Sequence, residues 1–193
     1  MPLLMLKDIP QYDCLLEAAK HYPTLEPSAN EAFLHLLRTA DLISEDSQLF
    51  FNRYNISQGR FTVLMLLHSP LAKSRGLTEG SQTPASLAEH AGVTRATMTG
   101  LLDTLEKDGL IAREPGIQDR RITHIRLTEQ GEARIEAMIP DCFQCISRNI
   151  APLTRDERKE LVRLLQKLQE GLTRTHPSEA APLAAATATS FSS

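Results

Sequence analysis

The chain has 193 residues, of which 41% are hydrophobic and 23% charged, with a formal net charge of -3. That length suits one domain with appendages and allows a sizeable buried core. No apolar run approaches the ~20 residues of a membrane span, and MPLLMLKDIPQYD lacks the basic region and cleavage site of a secretory leader. Cys14, Cys142 and Cys145 are an odd, sparse set that argues against a secreted disulfide framework, so a cytoplasmic protein with no membrane partner is expected. Net acidity does not exclude a nucleic-acid partner, because placement of positive charge matters more than its sum.

Tyr12, Leu15, Leu16 and Ala19 fall at helical spacing in a first segment that ends at the HYP of 21–23. PTLEPS at 23–28 reads as a breaker. A long helix is then predicted over 30–52, where Phe33, Leu36, Leu37, Ala40, Ile43 and Phe50 recur every three or four residues. Ser57 suits the N-cap of a helix over 58–68 that carries Phe61, Leu64, Met65 and Leu67. Residues 69–82, rich in Gly, Ser and Pro, read as a loop.

Thr83-Pro84 pairs an N-cap with proline at the first helical position and predicts a short helix that stops at Gly92. Thr94 caps the next helix, 94–108, which ends at Gly109. Two helices joined by a glycine turn form a helix-turn-helix candidate. Its core stripe is Leu87, Val93, Met98, Leu101, Leu102 and Leu105, with the small Ala88 at the crossing, and it leaves Arg95, Thr97, Thr99 and Asp103 outward. LIARE at 110–114 and ITHIRL at 122–127 alternate with period two around Pro115-Gly116, which predicts a β-hairpin. Thr128 caps a long helix bearing Ile135, Met138, Ile139, Cys142 and Ile146. The chain restarts at Thr154 with a last amphipathic helix carrying Leu161, Leu164, Leu165, Leu168 and Leu172. The remaining 173–193 has no apolar period and reads as a disordered tail.

The fold class is therefore mainly α with a small β-hairpin wing. SLAEHAGVTRATMTGLLDTLEKDGLIARE followed by DRRITHIRLTEQG resembles the MarR family of bacterial transcription regulators, and NISQGRFTVLMLL upstream resembles the family's second helix. The resemblance covers roughly residues 30–172. It implies a homodimer in which 29–56 and 128–172 form a helical dimerisation region. Residues 57–127 would form the winged helix-turn-helix, with 1–28 as an N-terminal extension. Helix 94–108 would enter the major groove of double-stranded DNA and the hairpin the adjacent minor groove. Arg121 corresponds to the family's wing arginine, and Asp119 to the aspartate that orients it. Gly100 and Thr104 depart from the pattern, since family members often carry a basic residue there, and the loop at 69–82 is longer than usual.

Between 111 and 127, Arg113, Arg120, Arg121 and Arg126 face Glu114 and Asp119, a local excess of +2. A narrow minor groove attracts arginine, so Arg121 is the expected groove residue and Arg120 a phosphate contact. Thr94 would cap its helix and help present a phosphate site. Arg95 is the long donor of the first turn and suits guanine or phosphate, with Thr97 and Thr99 beside it. The expected function is a repressor released from a pseudo-palindromic operator by a small-molecule effector. A thiol-based redox sensor using Cys14, Cys142 or Cys145, or a protein-interaction module, are the alternatives. No catalytic, metal or cofactor motif is present in the sequence.

Overall fold

Residues 2–68, 82–116 and 121–175 are described by a computed structural model. The chain divides into two units, Met1–Arg53 and Tyr54–Ser193. The first holds α1 (Tyr12–His21) and α2 (Pro27–Arg53). α2 starts earlier than its apolar period suggests, and the reason is local. Pro27 supplies a fixed helical φ at a position whose N–H is not needed. The Glu26 carboxylate takes the Ser28 and Ala29 N–H groups at 3.2 and 2.5 Å. The proline read as a breaker is thus a helix opener. Segment 2–10 lies beside α2, with the Leu3 and Leu4 N–H groups donating to Asp41 at 2.6 and 2.8 Å. Arg38 donates to the carbonyls of Leu6 and Lys7. Leu15, Phe50 and Phe51 are buried, the last two edge to face at 5.2 Å, while Phe33, Leu36 and Ile43 are exposed.

The second unit holds α3 (Gln58–Leu67), α4 (Pro84–Ala91), α5 (Arg95–Lys107), β1 (Ile111–Pro115), β2 (Thr123–Leu127), α6 (Glu129–Ile150) and α7 (Arg155–Thr175). Its starts are capped as the sequence predicts: the side chains of Ser57, Thr83, Thr94 and Thr128 accept from Arg60, Ser86, Thr97 and Gly131 N–H. α7 opens on a reciprocal box in which Glu157 accepts from Thr154 N–H at 2.7 Å and Thr154 Oγ1 from Glu157 N–H at 3.3 Å. α4 and α5 end alike. Gly92 (φ 64) and Gly109 (φ 71) take the left-handed position, and Val93 and Leu110 N–H reach back to the carbonyls of Ala88 and Leu105.

The core gathers Val63, Leu64, Leu66, Leu87, Met98, Leu102, Leu105, Ile125, Ile135 and Met138, all essentially inaccessible. α3 is buried more widely than expected: Val63 and Leu66 join Phe61 and Leu64, and Met65 and Leu67 are half-buried. Gly59 lets α3 approach α5, since a Cβ there would stand 3.1 Å from Leu101. β1 and β2 pair antiparallel, Ile111 with Leu127 and Arg113 with Ile125. The Gln82 carbonyl accepts from Ile125 N–H at 2.8 Å on the other edge of β2. α6 carries Pro140 inside it, and the Tyr54 hydroxyl reaches Asp141 Oδ2 at 2.8 Å. The leucine stripe of α7 is open, with Leu161, Leu164, Leu168 and Leu172 exposed. α7 also continues to Thr175, beyond the leucine pattern. Residues 69–81 of the loop predicted over 69–82, and 176–193 of the tail predicted over 173–193, lie outside the described residues. Among those described, no helix is long and apolar enough to cross a membrane.

One junction ties these pieces together. Thr128 Oγ1 donates to the Gly109 carbonyl at 2.6 Å and accepts from Gly131 N–H at 3.0 Å. Thr128 N–H donates to the Leu110 carbonyl at 3.1 Å. A Cβ on Gly131 would lie 2.0 Å from that same Leu110 oxygen. Gly131→Ala should therefore cost about 2–4 kcal/mol of stability by overpacking against backbone. Gly100→Ala, with nothing within 4 Å, should gain up to about 1 kcal/mol. Denaturant unfolding of the two variants checks the contrast, and equal stabilities would mean the junction is loose.

The Leu3 and Leu4 amides hold the Asp41 carboxyl below the usual carboxylate range. A depressed folded value means that the anchorage is complete above the unfolded carboxylate pKa and is lost as pH falls through the lowered one. Leu3 and Leu4 amide exchange should stay protected down through about pH 4 and lose protection only below it.

Candidate nucleic-acid interface

α5 is held from beneath by Met98, Leu102 and Leu105, so its other face is fixed outward by packing. Thr94, Arg95, Thr97, Thr99 and Gly100 are all exposed there. The hydroxyls on this face are partly committed. Thr94 Oγ1 caps Thr97 N–H at 3.1 Å and meets Thr97 Oγ1 at 2.9 Å. Thr99 Oγ1 donates back to the Arg95 carbonyl at 2.9 Å. The first intrahelical bond runs from Met98 N–H to the Thr94 carbonyl, so the Arg95 and Ala96 N–H groups have no helical acceptor. Open amides at a helix start, with an arginine on the same turn, suit an anion. Arg95 has no ion-pair partner among the described residues.

The hairpin lies beside this helix, and its charges are sorted in a way that counting does not reveal. Arg113 reaches Asp103 Oδ1 at 2.6 Å and Glu106 Oε2 at 3.4 Å, both on α5. Arg126 meets Glu114 across the two strands at 3.3 Å. Two of the four arginines behind the local +2 are therefore paired with carboxylates inside the unit. Alternation carries a signal for this: Arg113 shares the strand face of the buried Ile111, which points toward α5. At the other end of α5, Arg60 of α3 pairs with Asp108. Such partly exposed pairs add little stability individually. Of these, the Arg113 pairs tie the hairpin to α5, the Arg126 pair joins the two strands and the Arg60 pair joins α3 to the end of α5.

Arg121, just before β2, is exposed. Asp119 and Arg120 lie outside the described residues. The cysteines do not meet a metal site: among the described residues no three His, Cys, Asp or Glu side chains gather to hold an ion. Cys142 and Cys145 are half-buried on α6 and Cys14 is exposed on α1. Burial pushes the Cys142 thiol up, which favours the protonated, less nucleophilic form. Arg148 lies 3.7 Å from Cys145 Sγ.

Comparison with known proteins places this geometry. A model of the MarR family matches residues 56–123. The HTH-type transcriptional repressor YetL of Bacillus subtilis is 34% identical over 168 residues, 87% of this chain and 96% of that protein. Among solved structures, Bordetella bronchiseptica BpsR, described with regulation of its DNA binding by 6-hydroxynicotinic acid, superposes with a TM-score of 0.57 at 25% identity, covering 69% of this chain and 90% of that one. The S. aureus MepR–DNA complex gives 0.57 at 22% identity, over 73% and 96% respectively, a likeness of fold.

If the Arg113 pairs set the surface offered to DNA, Arg113→Met should weaken duplex binding severalfold. Asp103→Asn on that background should return part of the loss, because an uncovered carboxylate on α5 repels phosphate. Fluorescence anisotropy at fixed salt measures both, and unaltered binding by the single variant would leave the ion pair without a role in the interface.

Proposed function

The chain belongs to the MarR family of DNA-binding transcriptional regulators, and from that premise we propose that it is a homodimeric repressor of a pseudo-palindromic operator, released by a small-molecule effector. It is a regulator and not an enzyme. The observation that carries the reading is the outward first turn of α5, with Arg95, Thr97 and Thr99 exposed around the Thr94 cap, beside a hairpin that carries the exposed Arg121.

In this reading α5 enters the major groove, with Arg95 toward guanine or phosphate and Thr94, Thr97 and Thr99 lining the approach. Arg121 enters the adjacent minor groove, Asp119 orients it, and Arg120 meets phosphate. Residues 57–127 form the DNA-binding part, and 29–56 with 128–172 the dimerisation part. The open leucines of α7 and the open apolar side chains of α2 support a second copy as partner, since large exposed apolar surface marks an interface. Repression accords with the name of YetL, and effector control with the description of BpsR. An effector acts here only as far as it binds the DNA-incompetent arrangement better. The raised Cys142 thiol gives the redox reading no added support.

The salt dependence of binding tests the wing assignment. Arg121→Ala removes one groove cation from each subunit, and the slope of log K against log salt should flatten by roughly 2 for a dimer. Arg95→Ala should weaken binding at its cognate site more than on random duplex, by about 1–3 kcal/mol if it reads a base. An Arg121→Ala protein with wild-type affinity and slope would end the minor-groove reading.

A further inference from the structure

Gly100 is a feature of α5 that the packing of the second unit does not account for. Gly59 and Gly131 have neighbours that a Cβ would strike, Leu101 at 3.1 Å and the Leu110 carbonyl oxygen at 2.0 Å, and Gly92 and Gly109 carry a left-handed φ. Gly100 has neither reason: its φ is not positive, and a Cβ on it would meet nothing within 4 Å. Gly171 is equally open, but it lies about a turn from the end of α7, whereas Gly100 sits in the middle of α5. Glycine in a helix interior is less stable than alanine. At Gly100, α5 is therefore weakened without any gain in packing inside the protein.

The surroundings of Gly100 lie on the outward face. Helical spacing sets Ala96, Thr97, Asp103 and Thr104 around it, and all four are exposed. The hydroxyls of Thr99 and Thr104 donate back to the Arg95 and Gly100 carbonyls at 2.9 and 2.8 Å. Asp103 is engaged by Arg113 of the hairpin at 2.6 Å. Arg95 and Lys107, the long cations of this helix, stand at its two ends and are exposed. Between them α5 presents methyl groups and bare backbone. In the major groove an A·T pair carries the C5-methyl of thymine, which apolar contact with alanine or a threonine methyl recognises, whereas G·C has no such group.

We infer that Gly100 determines the base preference of α5: its missing side chain lets the C5-methyl of a thymine seat on the helix backbone between Ala96 and Thr104. The inference rests on the reading that α5 enters the major groove, and it adds which base the middle of that helix reads. A Cβ at Gly100 would take the place of the methyl and hold the helix off the base edge by roughly 1.5 Å, one carbon–carbon bond. Arg95 reads or anchors at the first turn, and Gly100 selects thymine one turn further along.

Binding of the full chain to a duplex selected by it from a random-sequence pool tests this, by fluorescence anisotropy at fixed salt. Each thymine, with its symmetry mate, is replaced in turn by deoxyuridine, which lacks only the C5-methyl. One buried methyl corresponds to about fourfold in affinity, so one such pair of replacements should cost wild type roughly fifteenfold. Gly100→Ala should unfold at the same temperature as wild type or higher. It should nevertheless bind the thymine duplex at least about tenfold more weakly, and this deficit should fall below about threefold on that deoxyuridine duplex, where the Cβ replaces the methyl. Wild-type binding indifferent to every replacement, or a Gly100→Ala deficit that is absent or the same on both duplexes, overturns the inference. An Arg95→Ala protein still impaired on the selected duplex then leaves the major-groove reading standing. A wild type that enriches no sequence from the pool overturns both.

Discussion

Thr128 and Gly131 make the contact on which the second unit depends. A single hydroxyl caps α6 and, at the same time, binds the carbonyl of Gly109, the left-handed residue that ends α5. The Leu110 carbonyl, one residue on, accepts from Thr128 N–H and lies where a Cβ on Gly131 would be. The end of α5, the entry and exit of the hairpin and the start of the long α6 thus converge on four backbone positions. Only a residue without a side chain allows that convergence, because the obstacle is a carbonyl oxygen of another element and cannot swing aside. Movement of α6 is consequently felt at the end of α5 through hydrogen bonds and direct contact.

A second constraint concerns charge. The protein is acidic overall, and the arginines around α5 and the hairpin are allocated to particular carboxylates. Arg113 and Arg126 are matched to Asp103, Glu106 and Glu114, and Arg60 to Asp108. These pairs neutralise the carboxylates on and around α5 that would otherwise face a polyanion. Arg95 and Arg121 are both exposed. In high dielectric such pairs contribute modestly to stability. Repulsion between an unmatched carboxylate and phosphate carries more weight at an interface than the same group does in the free protein.

Much of the fold was legible along the chain because its punctuation is local. Thr83-Pro84, Gly92, Thr94, Gly109 and Thr128 each act within four or five residues, so the helix ends they define match the structure. The start of α2 shifted for an equally local reason not weighed from the pattern: Glu26 and Pro27 open the helix. The candidate site was legible in part. Arg95, Thr97 and Thr99 face outward as helical spacing implies, whereas the counted excess of +2 overstated what the hairpin offers. Two of those arginines are engaged by carboxylates, and pairing across a glycine turn leaves only the faint trace of strand alternation.

What the sequence determined by itself is the order and type of elements, their caps, and the family to which they belong, since these follow from hydrogen bonds and φ preferences that close over a few residues. What only the tertiary structure decided is which groups meet at long range. Arg113 on Asp103, Gly131 against Leu110, Tyr54 on Asp141 and Asp41 beneath Leu3 and Leu4 all join positions at least ten residues apart. Burial and charge pairing depend on the distance between side chains after packing. That distance is a property of the assembled core and not of spacing along the chain.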